Sequence, residues 1–214
     1  MWGLTWRPVV FFKGHVGRPP CWYLALGGPL LCSCLTVVGY VGFTSHVTPL
    51  VALAVSASHI PASFVNSMRH MGVVSAASVC VVVWLVASAV MMAFEVLRAE
   101  SVAVVRLLEL NALAFYSQVP WLLAFVYVAW TYQSPLEAVG PDVVAAGASV
   151  DRLMRLMQAD PALVVVRSVG ECSTLWLHGL FGAGYRALSG VPLVRAQLLA
   201  LALYGLPHLV RGVW

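Results

Sequence analysis

The chain has 214 residues, 61% of them hydrophobic and 9% charged, with a mean hydropathy of +0.90. A soluble domain carries about 25% charged residues, so the composition excludes one and suits a single bundle of several membrane-spanning helices. A formal charge of +4 from twelve scattered Lys and Arg gives no basic stripe, which argues against nucleic acid as a partner.

The N-terminal flank, residues 1–21, is basic through Arg7, Lys13 and Arg18, and no Asp or Glu precedes Glu95. Such a segment is an organelle-targeting signal or a cytoplasmic membrane flank, and Pro8, Pro19 and Pro20 favour the flank by spoiling a long amphipathic helix. A helix needs about 20 mainly apolar residues to cross a bilayer. Five stretches come close, near residues 22–43, 71–94, 111–130, 164–185 and 193–210. The first two carry no charge, and the third contains Pro120. The last two are weaker, because Arg167, Glu171 and Arg195 lie at or inside their ends.

Between the first two spans, residues 44–70 are apolar but broken by Pro49 and Pro61, as in an interfacial or re-entrant segment. Near 149–158, Val150, Leu153, Met154 and Met157 fall at i, i+3, i+4 and i+7, opposite Asp151, Arg152 and Arg155. That spacing predicts a short amphipathic helix at the membrane surface. Asp160 then stands as an N-cap and Pro161 as a first helical residue. The expected fold is therefore all-α: one polytopic bundle over residues 1–214 with about five spans and one interfacial helix.

Orientation follows from the basic residues. With the N-terminus inside, Arg7, Lys13, Arg18, Arg98, Arg106, Arg186 and Arg195 lie inside; Arg69, Arg152, Arg155, Arg167 and Arg211 lie outside. Seven against five becomes seven against two when the long 131–170 stretch is discounted, which predicts N-in, C-out. The aromatic residues Trp2, Trp6, Trp22, Tyr23, Trp121, Trp130, Tyr132 and Trp214 mostly fall near span ends, as in interfacial belts.

The stretch "GECSTLWLHGLFGAGYRALSG", residues 170–190, carries the candidate site. Arg167, Glu171, Thr174 and His178 recur at spacings of four, three and four, and so share one helical face that Gly182 and Tyr185 continue. Polar groups in lipid are costly, so this face is expected to look into the bundle or a wet cavity. Three readings stand: a satisfied interfacial pair with a packing histidine, a proton relay or ligand pocket, and a haem-ligating His178, for which no second axial ligand stands out. Asn111 and Gln118, at i and i+7 in the third span, are expected to meet this stripe as a hydrogen-bonded seam. Gly179 and Ala183 make a small-xxx-small pair, and Gly182 and Gly184 thin the neighbouring faces, so that helices approach closely.

This segment resembles the last two spans of the Yip1 domain, a five-span membrane family. Trp176, Gly184 and Gly190 fit the tryptophan, the following glycine and the turn glycine of that pattern, with "VRAQLLALALYGL" as the fifth span. "VVFFKGHVGRPPCWYLAL" is similar to the entry into the first span, and "LNALAFYSQVPWLL" to the third, with Pro120 in its place. The long cytosolic N-terminal region of eukaryotic members is missing from this sequence, and the usual aspartate near the start of the fourth span is matched at best by Glu171. The resemblance implies a non-enzymatic membrane scaffold that binds partners, among them small GTPases, and no catalytic residue.

HExxH, GxSxG, GxxxxGK[ST] and paired DxD motifs are absent. The five cysteines, Cys21, Cys32, Cys34, Cys80 and Cys172, form no CxxC pair and read as small hydrophobes. His46, His59 and His70 share one side of the membrane in this topology, and read as interfacial residues rather than a metal site. No cofactor is expected. The expected partners are membrane lipids and other membrane-protein subunits. Two rival readings are an accessory subunit of a respiratory or ATP-synthase assembly, and a small transporter or channel using the Arg167–Glu171–His178 stripe. The expected location is a bacterial inner membrane or a eukaryotic endomembrane, with the mitochondrial inner membrane as the alternative.

Overall fold

The computed structural model describes residues 3–4, 7–57, 62–97, 104–132 and 159–211, with backbone alone at 48–57, 62, 64 and 206–211. Every regular element among them is helical: α1 (Pro8–Val16), α2 (Trp22–Ala57), α3 (Ala62–Leu97), α4 (Val104–Ala114), α5 (Val119–Thr131), α6 (Pro161–Ser189) and α7 (Leu193–Arg211). A four-residue 3₁₀ turn, Phe115–Gln118, joins α4 to α5. The predicted amphipathic helix near 149–158 lies outside the described residues.

Among the described residues, three stretches are long and apolar enough to cross a membrane: Trp22–Val47, Val65–Leu97 and Val104–Thr131. They hold the first three predicted spans. In α3 the run from Val79 to Val90 is rich in β-branched residues that favour strands in water. In lipid the backbone must satisfy itself within one segment, and a helix does that for any apolar sequence. The fourth and fifth predicted spans fall on α6 and α7. Of these, α6 carries Arg167, Glu171 and Arg186, and the apolar part of α7 is the shorter Leu193–Gly205.

The expected interruption over residues 44–70 is narrower in the structure, because α2 runs on to Ala57 and α3 starts at Ala62. Pro49 removes one backbone donor, a loss that membrane helices tolerate, so the helix continues through it. Pro61 falls among the undescribed residues 58–61.

The chain forms two compact units. The first takes residues 1–33, 79–120 and 171–214, and its core is built from Phe12, Met91, Leu107, Leu110, Phe115, Phe181 and Tyr185, all essentially without solvent exposure. Close approach here rests on glycine. A Cβ at Gly28 would run into the carbonyl oxygen of Ala112, whereas one at Gly184 would stand in ordinary contact with Leu110 and Phe12. At Gly182 it would stand 3.0 Å from the Ala196 carbonyl oxygen, on the other arm of the α6–α7 hairpin. Gly190, with φ +70°, makes the left-handed turn between those arms.

The second unit takes residues 34–78 and 121–170. Aromatic rings fill the places of missing side chains, Phe125 at Gly39 and Trp130 at Gly42. The indole of Trp130 also donates to the Val38 carbonyl at 3.2 Å. Asp160 caps α6: its Oδ1 accepts from the backbone N–H of Ala162 at 2.8 Å and of Leu163 at 3.4 Å, with Pro161 opening the helix. The other oxygen, Oδ2, accepts the Tyr132 hydroxyl at 3.0 Å, which ties the end of α5 to the start of α6.

Candidate functional site

The α4–α5 junction sets the polar seam. Pro120 has no N–H to give the Tyr116 carbonyl one α-turn back. The Val119 N–H bonds to that carbonyl instead, an i→i−3 contact that winds Phe115–Gln118 into the 3₁₀ turn. Side chains serve neighbouring carbonyls: the Ser117 hydroxyl donates to Ala114 at 2.8 Å and the Cys32 thiol to Phe115 at 3.2 Å.

Each 3₁₀ residue turns about 120° rather than about 100°, so four of them add about 80°. Asn111 and Gln118 therefore leave the common face that a continuous α-helix would give them. Asn111 is fully buried and donates from Nδ2 to the Ser88 hydroxyl of α3 at 3.0 Å and to the Met91 sulfur at 3.6 Å. Gln118 reaches α6, where it makes a reciprocal pair with Ser173. Its Nε2 donates to the Ser173 carbonyl at 2.9 Å, and its Oε1 accepts the Ser173 hydroxyl at 2.8 Å. The expected seam thus divides. Gln118 meets α6 at Ser173, beside the predicted stripe, and Asn111 meets α3.

Helix α6 changes character along its length. Through Trp176 it is largely exposed, including Glu171, Cys172, Thr174, Leu175 and Trp176 in the first unit and Arg167 and Ser168 in the second. From Leu177 to Tyr185 it is buried on nearly every side, and at Gly182 the missing side chain lets Ala196 and Gln197 of α7 come close. Gly179 is half-buried and its carbonyl accepts from Gln197 Nε2 at 3.0 Å. Pro120 is exposed and Trp176 is 45% exposed.

Within the first unit, Glu171, Thr174 and His178 line a groove of about 470 Å³. Its opposite wall is Val79, Val82, Val83, Val86 and Ala87 of α3, and Leu203 and Tyr204 of α7 complete it. His178 is buried; its Nδ1 donates to the Thr174 carbonyl at 2.8 Å, which leaves Nε2 as the acceptor of a neutral ring. The ring stands edge-on to Tyr204 at 5.5 Å and to Phe181 at 5.4 Å. The valine wall reads in the sequence only as part of a span, and nothing in its spacing marks a groove.

Two carboxylates of the first unit, Glu95 and Glu109, are buried, with no motif in the sequence to mark them. Glu109 accepts the Cys21 N–H at 3.0 Å, at the start of α2, and pairs with Arg106. A carboxylate at a helix N-terminus is favourably placed in the helix dipole. Glu95 is 2% exposed. Among the described residues no three His, Cys, Asp or Glu side chains are grouped to hold a metal ion, and His59 lies outside those residues.

These features define a helical protein with three apolar helices of membrane-spanning length. No protein-family model, curated protein or solved structure matches the chain.

Proposed function

We propose that the chain is a non-enzymatic integral membrane protein of Yip1-like type that binds a protein partner through the first half of α6. In this reading α6 and α7 complete five spans, with the N-terminus inside and the C-terminus outside. One observation carries it. Along the first unit's part of α6 up to Trp176, the exposed surface mixes Glu171 and Thr174 with Cys172, Leu175 and Trp176. Polar and ionisable groups are costly against lipid tails, so a membrane helix with such a surface is covered by protein. The short turn at Gly190 and the packed Gly184 support the Yip1-like comparison.

The partner is a small GTPase or trafficking protein in the Yip1-like reading. The same surface also suits the subunits of a larger membrane complex. Extraction in mild detergent, native-gel sizing and mass spectrometry separate these cases. A discrete complex that disappears in Trp176→Arg, while the variant stays inserted, is the expected result. Small GTPases in the complex support the Yip1-like scaffold, whereas respiratory or synthase subunits support an accessory subunit. A protein that runs alone, before and after the substitution, overturns partner binding.

A further inference from the structure

We propose that one end of the first unit, formed by α1 and the α6–α7 turn, binds the anionic headgroups of phospholipids. Cations that lie scattered in the sequence are gathered here by the fold. Phe12 of α1 packs against Gly184 of α6, and the Cys21 N–H reaches Glu109 at 3.0 Å, so the two basic segments share one end with the start of α4. Phe94 and Tyr185 bring the close of α3 to the same place, with ring centroids 6.4 Å apart. Arg7, Lys13 and Arg18 stand exposed on or beside α1; Arg195 stands exposed just past the turn, with Arg186 half-buried before it. Among the described residues the acids of this end are Glu95 and Glu109. Both are buried, and Glu109 is neutralised by Arg106. Arg98 and Glu100, of opposite charge, lie outside the described residues.

Depth selects the partner. The membrane-length stretches start at Trp22 and Val104 and stop at Leu97, so these cations sit where the apolar segments begin. Trp22 and Tyr23 are 44% and 82% exposed there, as amphipathic rings are in a headgroup layer. Phosphate is the anion of that layer, and Lys and Arg both bind it. Between Lys13 and Arg18 the surface is open: a Cβ at Gly14 or Gly17 would meet nothing within 4 Å. Gly17 has φ −79°, so neither the backbone nor packing requires glycine there. The bare surface lets a headgroup come down between the two cations. With the N-terminus inside, it faces the leaflet in which anionic lipids are enriched. The proposal rests on the membrane reading of α2, α3 and α4, and not on a protein partner.

The test uses the full chain purified in neutral detergent and pyrene-labelled phosphatidylglycerol, read by excitation transfer from tryptophan. Saturable binding is expected, and unlabelled phosphatidylglycerol should displace the probe about tenfold better than phosphatidylcholine. Each cation near an anionic lipid surface is worth about fivefold in affinity, so Lys13→Gln with Arg18→Gln should weaken binding about 25-fold. Lys13→Arg with Arg18→Lys keeps both charges and should bind like the parent. So should Arg69→Gln, which removes an exposed cation of the second unit. A melting temperature close to the parent's establishes that each variant is folded, and Arg7→Gln with Arg195→Gln serves if the first pair is not. Equal displacement by phosphatidylcholine, displacement by glycerol phosphate as effective as by the lipid, or an equal loss in Arg69→Gln overturns the proposal. So does a double variant that keeps its lipid affinity but loses a bound protein, which would make this end a protein interface. Because the lipid test contains no partner, its failure leaves the partner reading on α6 to be judged by its own experiment.

Discussion

At Gly28 an alanine would place its Cβ in the carbonyl oxygen of Ala112, and neither backbone can yield without moving a helix. Gly28→Ala is expected to destabilise the first unit by about 1–3 kcal/mol, the usual cost of overpacking. Gly14→Ala, inside α1 with nothing within 4 Å, should instead stabilise by about 0.5–1 kcal/mol, and detergent-solubilised unfolding curves compare the two. Gln118 and Ser173 exchange two hydrogen bonds, so a double-mutant cycle with alanine at each should give a coupling of about 0.6–1.7 kcal/mol. A coupling of zero would show that the pair adds nothing beyond packing. Sequence alone marked Gln118 as a polar residue facing a neighbour, since a polar side chain in an apolar span must find a partner. It did not name Ser173 or Ser88 as the partners of Gln118 and Asn111, because pairing is decided by how helices rotate against one another. Gly28 escaped notice for the same reason: a glycine shows its use only when another backbone comes near.

Local chemistry at helix ends was far easier to read than rotation within helices. Asp160 and Pro161 form a start signal contained in adjacent residues, and the structure has the cap. Asp160→Ala should cost about 1 kcal/mol through the lost cap. Its other oxygen holds the Tyr132 phenol, whose ionisation is pushed well above the ordinary range by burial first, then by the hydrogen bond and charge of Asp160. A raised folded pKa means that the neutral phenol is the folded form. Its contribution is whole below the unfolded value of about 10 and fades as pH rises through the folded one. The melting temperature of the parent should therefore fall more than that of Tyr132→Phe between about pH 9 and pH 12. An equal fall would remove the phenol from the balance. Pro120 shows the harder case. Its place in a span was evident, but the 3₁₀ turn it causes rotates everything before it, and a strict 3.6-residue count cannot anticipate that. In a Pro120→Ala background the restored N–H permits a regular helix, and the Gln118–Ser173 coupling is expected to vanish.

For the whole molecule, the three apolar helices were evident from composition and length, whereas α6 was ambiguous because its polar residues suit either lipid depth beside a partner or a watery surface. Three spans and five both leave the termini on opposite sides, so the α6–α7 turn decides between them. In a cysteine-free background, Pro192→Cys should react with a membrane-impermeant maleimide only after the inner face is opened, and Ser134→Cys should react from outside. Reaction of both from one side would mean that α6 does not cross. The Tyr132–Asp160 contact has a different consequence, for the chain between those residues. The residues that bound it, Tyr132 and Asp160, meet at 3.0 Å, so a longer connection can still be closed on the same contact. Lengthening that connection twofold costs about 0.6 kcal/mol of closure entropy. A flexible insertion that doubles this connection should therefore lower the melting temperature in detergent only slightly, and a large fall would show that the connection does more than join its ends.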